Sequence, residues 1–170
     1  MPSVLSRTTP IRILFICHGN ICRSTMAQFV MQDLVNKAGL ADDFFIDSAA
    51  TSREAIGMPA DLRTVRKLKK EGIPSLKHRA KQVKIDDYND FDYLICMDDK
   101  NIRNLTRILG EDSDGKFHKL LEYTDRNFGL SASQTPDIAD PWYTGNFDIT
   151  FDQVMMGCKG LLKTLLGNNQ

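Results

Sequence analysis

Two periods of hydrophobic patterning take turns along this chain. Residues 11–16, IRILFI, form a short apolar run, interrupted by Arg12 alone and rich in β-branched side chains, with Pro10 just ahead, the pattern of a strand buried on both faces. Residues 24–39 then place Met26, Phe29, Val30, Leu34 and Ala38 at helical spacing, with Gly39 as a natural stop. FFIDSAA (44–50) predicts a second strand, and 59–72 predicts a basic amphipathic helix ended by Gly72 with Pro74 beyond. DYLICM (92–97) predicts a third buried strand, followed by a helix carrying Ile102, Leu105, Ile108 and Leu109 up to Gly110. FHKLLEY (117–123) predicts a weaker fourth strand. A last helix carries the stripe Phe151, Val154, Met155, Cys158, Leu161, Leu162 and Leu165, and stops at Gly167. Residues 124–146 are polar and irregular, and a loop of that size in a compact domain is often functional.

Strands alternating with helices imply right-handed crossovers and an α/β fold, a parallel sheet covered on both faces. Ligands in such folds sit outside the carboxyl ends of the strands, where CHGNICRS (17–24) follows the first strand. At 170 residues, 42% hydrophobic and 26% charged, the chain fits one globular domain. Residues 1–10 read as a flexible N-terminal extension without a charged leader or small-residue cleavage site, and 11–170 as the single domain. Lysine plus arginine and aspartate plus glutamate both number 22, so no bulk basic field is available for nucleic acid or an anionic membrane. No apolar run is long enough to cross a bilayer. The four cysteines lack the density of a secreted disulfide scaffold, so a cytoplasmic location is expected, and their spacing argues against a metal site.

The turn after the first strand presents successive backbone N–H groups to one point, and the following helix adds its positive end. Gly19 permits close backbone approach and Asn20 tolerates left-handed backbone angles, so the turn suits a phosphate. The glycines and Gly-Lys-Ser/Thr close of a Walker loop are missing. Cys17 stands at the start instead, and Arg23 at the end. A free cysteine titrates near about 8.5, and helix N-termini with cationic neighbours can lower this to roughly 3.5–7.5. Ser24 can add a hydroxyl hydrogen bond to the sulfur, and Arg23 a planar fork for two phosphate oxygens. The set predicts a nucleophile in an anion hole, built for attack on phosphorus. Asp140 precedes Pro141, which stiffens the loop carrying a candidate acid that needs a suitably raised pKa; Asp137 competes for that role.

These segments together resemble the low-molecular-weight protein tyrosine phosphatase family from about residue 11 to 166. CHGNICRS, IDSAATS (46–52), HRAKQV (78–83), FDYLICMDDKNIRNL (91–105) and DPWY (140–143) resemble family segments in the right order. The resemblance implies a flavodoxin-like (Rossmann-like) three-layer sandwich, a four-stranded parallel sheet with helices on both faces, over the single phosphatase domain. It also implies two-step hydrolysis of a phosphotyrosine protein or small aryl phosphate, without metal or other cofactor, by a monomer or weak dimer. Cys17 would be the nucleophile and Arg23 the phosphate clamp. Asn20 would hold the loop's shape within the phosphate-binding segment of His18, Gly19, Asn20, Ile21, Cys22 and Ser24. Ser24 would support the thiolate, and Asp140 would protonate the leaving phenolate and then activate water. Cys22 would form a reversible disulfide with Cys17 under peroxide, as in the family.

The chain departs from the pattern at His18, where leucine is common, and at Glu54, where an aromatic residue usually walls the cleft. Trp142 and Tyr143 are expected to supply that wall from the other side. Cys96, Cys158, His118 and Asp98 read as structural residues, and His78 reads either as a hydrogen-bond partner near the loop or as a structural histidine. Three rival readings stand beside the phosphatase. Arsenate reduction would use Cys96 but finds Arg103 where its partner cysteine is expected. Arginine phosphatases carry threonine at the position of Ile21. A non-enzymatic phosphate-binding module would leave the thiol idle.

Overall fold

The computed structural model describes residues 7–127 and 129–167; residues 1–6 of the expected extension lie outside the described residues. Strand β1 (Ile11–Cys17) lies inside a parallel four-stranded sheet of order β2-β1-β3-β4. It pairs with β2 (Phe44–Ala50) from Ile11↔Phe44 to Cys17↔Ala50, and with β3 (Tyr93–Cys96) from Ile13↔Tyr93. Strand β4 (Phe117–Lys119) closes the far edge, with Lys119 opposite Cys96.

The period of two along β1 sends alternate residues to opposite cores. Ile11, Ile13, Phe15 and Cys17 join the cluster formed with helix α1 (Arg23–Lys37), Leu68 of α2 (Leu62–Lys70) and the long last helix. Leu14 and Ile16 join a second cluster with α4 (Asp99–Leu109) and the short helix α3 (Asp87–Asp90) beside Phe91. This is the expected three-layer arrangement. Phe15 is fully buried, and truncating such a side chain to alanine costs about 3–5 kcal/mol.

The structure corrects several boundaries. The fourth strand ends at Lys119 rather than 123, because Leu120–Tyr123 turns into a 3-10 helix. Leu120 and Leu121 both enter the same core cluster, which consecutive strand positions pointing to opposite faces cannot do. Helix α2 starts at Leu62, not 59, since the Asp61 carboxylate accepts from the Arg63 N–H and caps it. Among its described residues the irregular loop 124–146 holds two 3-10 turns and helix α5 (Pro141–Thr144), and α6 (Phe147–Gly167) begins a turn before its apolar stripe.

Helix α6 lies unusually close to the 120–123 turn. A Cβ placed on Gly160 would meet the Tyr123 carbonyl oxygen at 2.0 Å, and one on Gly157 would meet Leu120 Cγ at 2.5 Å. Near its other end α6 grips the loop: Thr150 Oγ1 donates to the Ala139 carbonyl at 2.8 Å, and the Ala139 N–H donates to Gln153 Oε1 at 2.9 Å. No described helix is long and apolar enough to cross a membrane.

Candidate active site

Three parallel strands end on the same side of the sheet, and the segments that follow them converge there. The β1–α1 turn forms the floor. Asn20 adopts φ 59°, the one non-glycine with positive φ among the described residues, while the neighbouring Gly19 stays outside that region. Asparagine tolerates this geometry because its short amide can bond locally. Here the amide is used fully. Its Nδ2 donates to Ser24 Oγ and Ser48 Oγ, both at 2.9 Å, and its Oδ1 accepts the Lys81 N–H at 3.2 Å. The Asn20 carbonyl accepts from Thr25 Oγ1 at 3.0 Å and from His78 Nε2 at 2.7 Å. The turn is thereby tied to β2, to the segment 78–81 and to α1.

The expected cluster around the sulfur is present. The Asn20 N–H donates to Cys17 Sγ at 3.2 Å, and Ser24 Oγ lies 3.0 Å from the same atom. Cys17, Asn20, Ser24 and Arg23 are all buried. Arg23 NH1 donates to Asp98 Oδ2 at 2.7 Å and to the Ile138 carbonyl at 3.0 Å, while NH2 reaches Asp140 Oδ2 at 3.3 Å. Burial works against the Arg23 charge, but its neighbours, Cys17, Asp98 and Asp140, outweigh it and hold the guanidinium pKa above its ordinary value.

Asp140 has the extended backbone that Pro141 demands, and its Oδ1 accepts the Trp142 N–H at 3.1 Å to cap α5. Asp137, the competing acid, sits elsewhere: its Oδ1 accepts from Lys119 Nζ at 2.8 Å and from the Asp99 N–H at 3.1 Å. A cleft of about 410 Å³ opens above the sulfur, lined by Cys17, His18, Gly19, Ile21, Cys22, Arg23, Glu54, Asp140, Trp142 and Tyr143. The expected residues therefore share one site, with Asn20 and Ser24 beneath its floor. On the rim, His18 Nε2 lies 2.9 Å from Glu54 Oε2, and Trp142 and Tyr143 stand exposed at 59% and 81%. His18 Nδ1 is buried with no hydrogen-bond partner among the described residues.

The four thiols are free and buried. Burial, and then the Asp61 charge, pushes the Cys22 thiol up to about 12; burial raises Cys96 and Cys158 too. Among the described residues no cluster of His, Cys, Asp and Glu could hold a metal ion.

Sequence reasoning gave Asp98 only a structural role. Its Oδ1 does accept the Asn101 N–H at 2.7 Å and cap α4, yet its other oxygen orients Arg23. The signal was available, because Asp98 follows β3 at the carboxyl edge where such sites form. Lys119, fully buried beside the acid loop, carried no such signal.

Comparison with known proteins agrees with the geometry. The sequence model of the low molecular weight phosphotyrosine protein phosphatases matches residues 12–170. The low molecular weight protein-tyrosine-phosphatase YfkJ of Bacillus subtilis is 38% identical over 160 residues, covering 94% of this chain and 99% of its own. Its crystal structure superposes with a TM-score of 0.87 at 37% identity, over 97% of this chain and 100% of that one. The low molecular weight phosphotyrosine protein phosphatase of Gallus gallus is 40% identical over 155 residues, 89% of this chain and 93% of that one. A Drosophila arginine phosphatase, at 27% identity, superposes with a TM-score of 0.79 over 91% and 97% of the two chains. With a family match over nearly its whole length, a shared fold and one cleft joining the motif residues, the chain belongs to the low molecular weight phosphotyrosine protein phosphatase family.

Proposed function

We propose that this protein hydrolyses phosphotyrosine and related aryl phosphate monoesters through a phosphocysteine intermediate. The observation that carries the reading is the convergence on one sulfur. The Asn20 N–H and the Ser24 hydroxyl meet Cys17 Sγ, and the buried Arg23 fork stands beside it. Donors aimed at the sulfur favour negative charge there, and a thiolate is the attacking form. In the first step Sγ bonds to phosphorus, the P–O bond to the aryl group breaks, and Asp140 gives its proton to the departing oxygen. In the second, water attacks phosphorus, the P–S bond breaks, and Asp140 takes the proton from the water. Arg23 holds two non-bridging oxygens as their charge shifts. Phosphate entering the cleft competes with Asp140 for the Arg23 fork, which frees the carboxyl group for proton transfer.

Asp137 is left outside this scheme because its carboxylate is occupied by Lys119 and the Asp99 amide. The family match over residues 12–170 supports one phosphatase domain spanning 11–170. The reading takes the protein as a monomer or weak dimer, and low cysteine density supports a cytoplasmic setting.

A second reading, hydrolysis of phosphoarginine, draws on Glu54, whose carboxylate on the rim would suit a cationic guanidinium. Ile21 weighs against it, being larger and wholly apolar where arginine phosphatases carry threonine. Purified protein is assayed with a phosphotyrosine peptide, with phosphoarginine, and with arsenate plus a thioredoxin system, beside Cys17→Ser. The proposal expects turnover of the first alone and none in the variant. Preferential turnover of phosphoarginine, or activity that survives the variant, overturns it.

A further inference from the structure

The side chain of Lys119 is completely sealed from solvent at the carboxyl end of β4. Removing an ammonium from water costs several kcal/mol even after relaxation, and an apolar side chain of similar size fills such a space at no comparable penalty. The charge is compensated by three oxygens. Lys119 Nζ donates to Asp137 Oδ1 at 2.8 Å, to Asp99 Oδ1 at 3.0 Å and to the Thr135 carbonyl. Two of these acceptors lie on the irregular segment leading to Asp140, and the third is the first residue of α4. Burial pulls the Lys119 pKa down, but hydrogen bonds to Asp137 and Asp99 outweigh it and keep the ammonium charged.

The bonds have a direction in the fold. Asp98 and Asp99 are neighbours at the head of α4: Asp98 holds the Arg23 guanidinium, and Asp99 holds Lys119. The Asp99 N–H also donates to Asp137, and the Ile138 N–H donates to the Met97 carbonyl at 2.9 Å. One rigid helix start therefore fixes both the phosphate clamp and the loop that carries the carboxyl group. The sealed ammonium joins the two.

We propose that Lys119 is a positioning residue for the general acid, anchoring Thr135 and Asp137 to the head of α4 so that Asp140 stands over the sulfur in register with Arg23. Lys119 touches no reacting atom. The inference rests on the reading of Asp140 as the acid. A misplacement of about 1 Å can cost roughly a hundredfold in rate, within the roughly 10²–10⁴-fold that a general acid contributes.

The test compares kcat/KM on phenyl phosphate, whose leaving group needs a proton, with dinitrophenyl phosphate, whose leaving group does not. It uses wild type, Lys119→Met, Asp137→Ala and Asp140→Asn, each with a thermal melt. Asp137 is half exposed, so its variant keeps the test open should Lys119→Met fail to fold. The expected result is a loss of at least about tenfold on phenyl phosphate in Lys119→Met and Asp137→Ala, with less than about threefold on dinitrophenyl phosphate. A proportional fall on both substrates, which mere loss of folded enzyme would give, overturns the proposal, as does no fall on either. If Asp140→Asn itself leaves the ratio of the two substrates unchanged, the acid assignment fails, an outcome distinct from failure of the lysine's role.

Discussion

Replacing Asn20 by alanine tests whether the active-site turn is held by side-chain bonding as well as by backbone shape. The change removes two donated hydrogen bonds to Ser24 and Ser48 and one accepted from the Lys81 amide. At about 0.5–1.5 kcal/mol each, these amount to roughly 2–3 kcal/mol. Alanine at φ 59° adds roughly 1 kcal/mol, because its Cβ crowds the following carbonyl without the amide's local compensation. A total near 3–4 kcal/mol lowers the melting temperature by roughly 10 °C in a domain of this size. Asn20→Gly loses the same three bonds but meets no Cβ clash, so it is expected to melt above Asn20→Ala. Both variants are expected to slow alkylation of Cys17 by iodoacetate at neutral pH, since Ser24 loses the partner that orients it toward the sulfur. Calorimetry and alkylation kinetics on the three proteins decide the matter. If Asn20→Ala melts with wild type, or if the glycine variant is no more stable than the alanine one, this accounting of the turn is refuted.

Two histidines give pH effects of opposite sign. Burial lowers the His78 pKa despite its bond to the Asn20 carbonyl, so its stabilisation is present above about 6.5 and is lost as pH falls through its lower folded value. Hydrogen bonding to Glu122 raises His118 against burial, so its stabilisation is present below about 6.5 and is lost as pH rises through its higher folded value. Melting curves between about pH 5 and about pH 8 should therefore show the advantage of wild type over His78→Gln shrinking on acidification, and that over His118→Gln growing. Glu54→Gln removes the rim charge, and kcat/KM for phosphopeptides with basic flanking residues is expected to fall by a few fold while acidic ones gain; equal effects on both peptides would count against an electrostatic rim. Gly160→Ala is expected to destabilise by about 1–3 kcal/mol or more, because the added carbon meets a backbone carbonyl, and a melt within about 1 °C of wild type would contradict that close approach.

The layered sheet was legible because β1, β2 and β3 are predominantly apolar segments between well-marked helices. The candidate nucleophile Cys17 and its arginine were legible as a motif following β1, and the candidate acid Asp140 by the proline after it. The strand extended to residue 123 was misjudged because Leu120 and Leu121 are apolar enough for a strand, and only tertiary packing decides that both turn inward. Lys119 escaped for a related reason: a lysine in a short edge strand looks solvated until the loop over it is in place. The Arg23 fork between Asp98 and Asp140 joins residues 75 and 117 positions away, which no local pattern encodes. Gly157 and Gly160 interrupt a helical stripe and, read locally, only weaken it.

Those two glycines have a consequence for where activity can be lost. The helix that bears them also clasps Ala139 through Thr150 and Gln153, one residue before Asp140. A stiff rod levered outward at its distal half moves its proximal half too. Inactivating substitutions should thus arise on the molecule's back, among residues that never meet a substrate, with the reacting groups themselves unaltered.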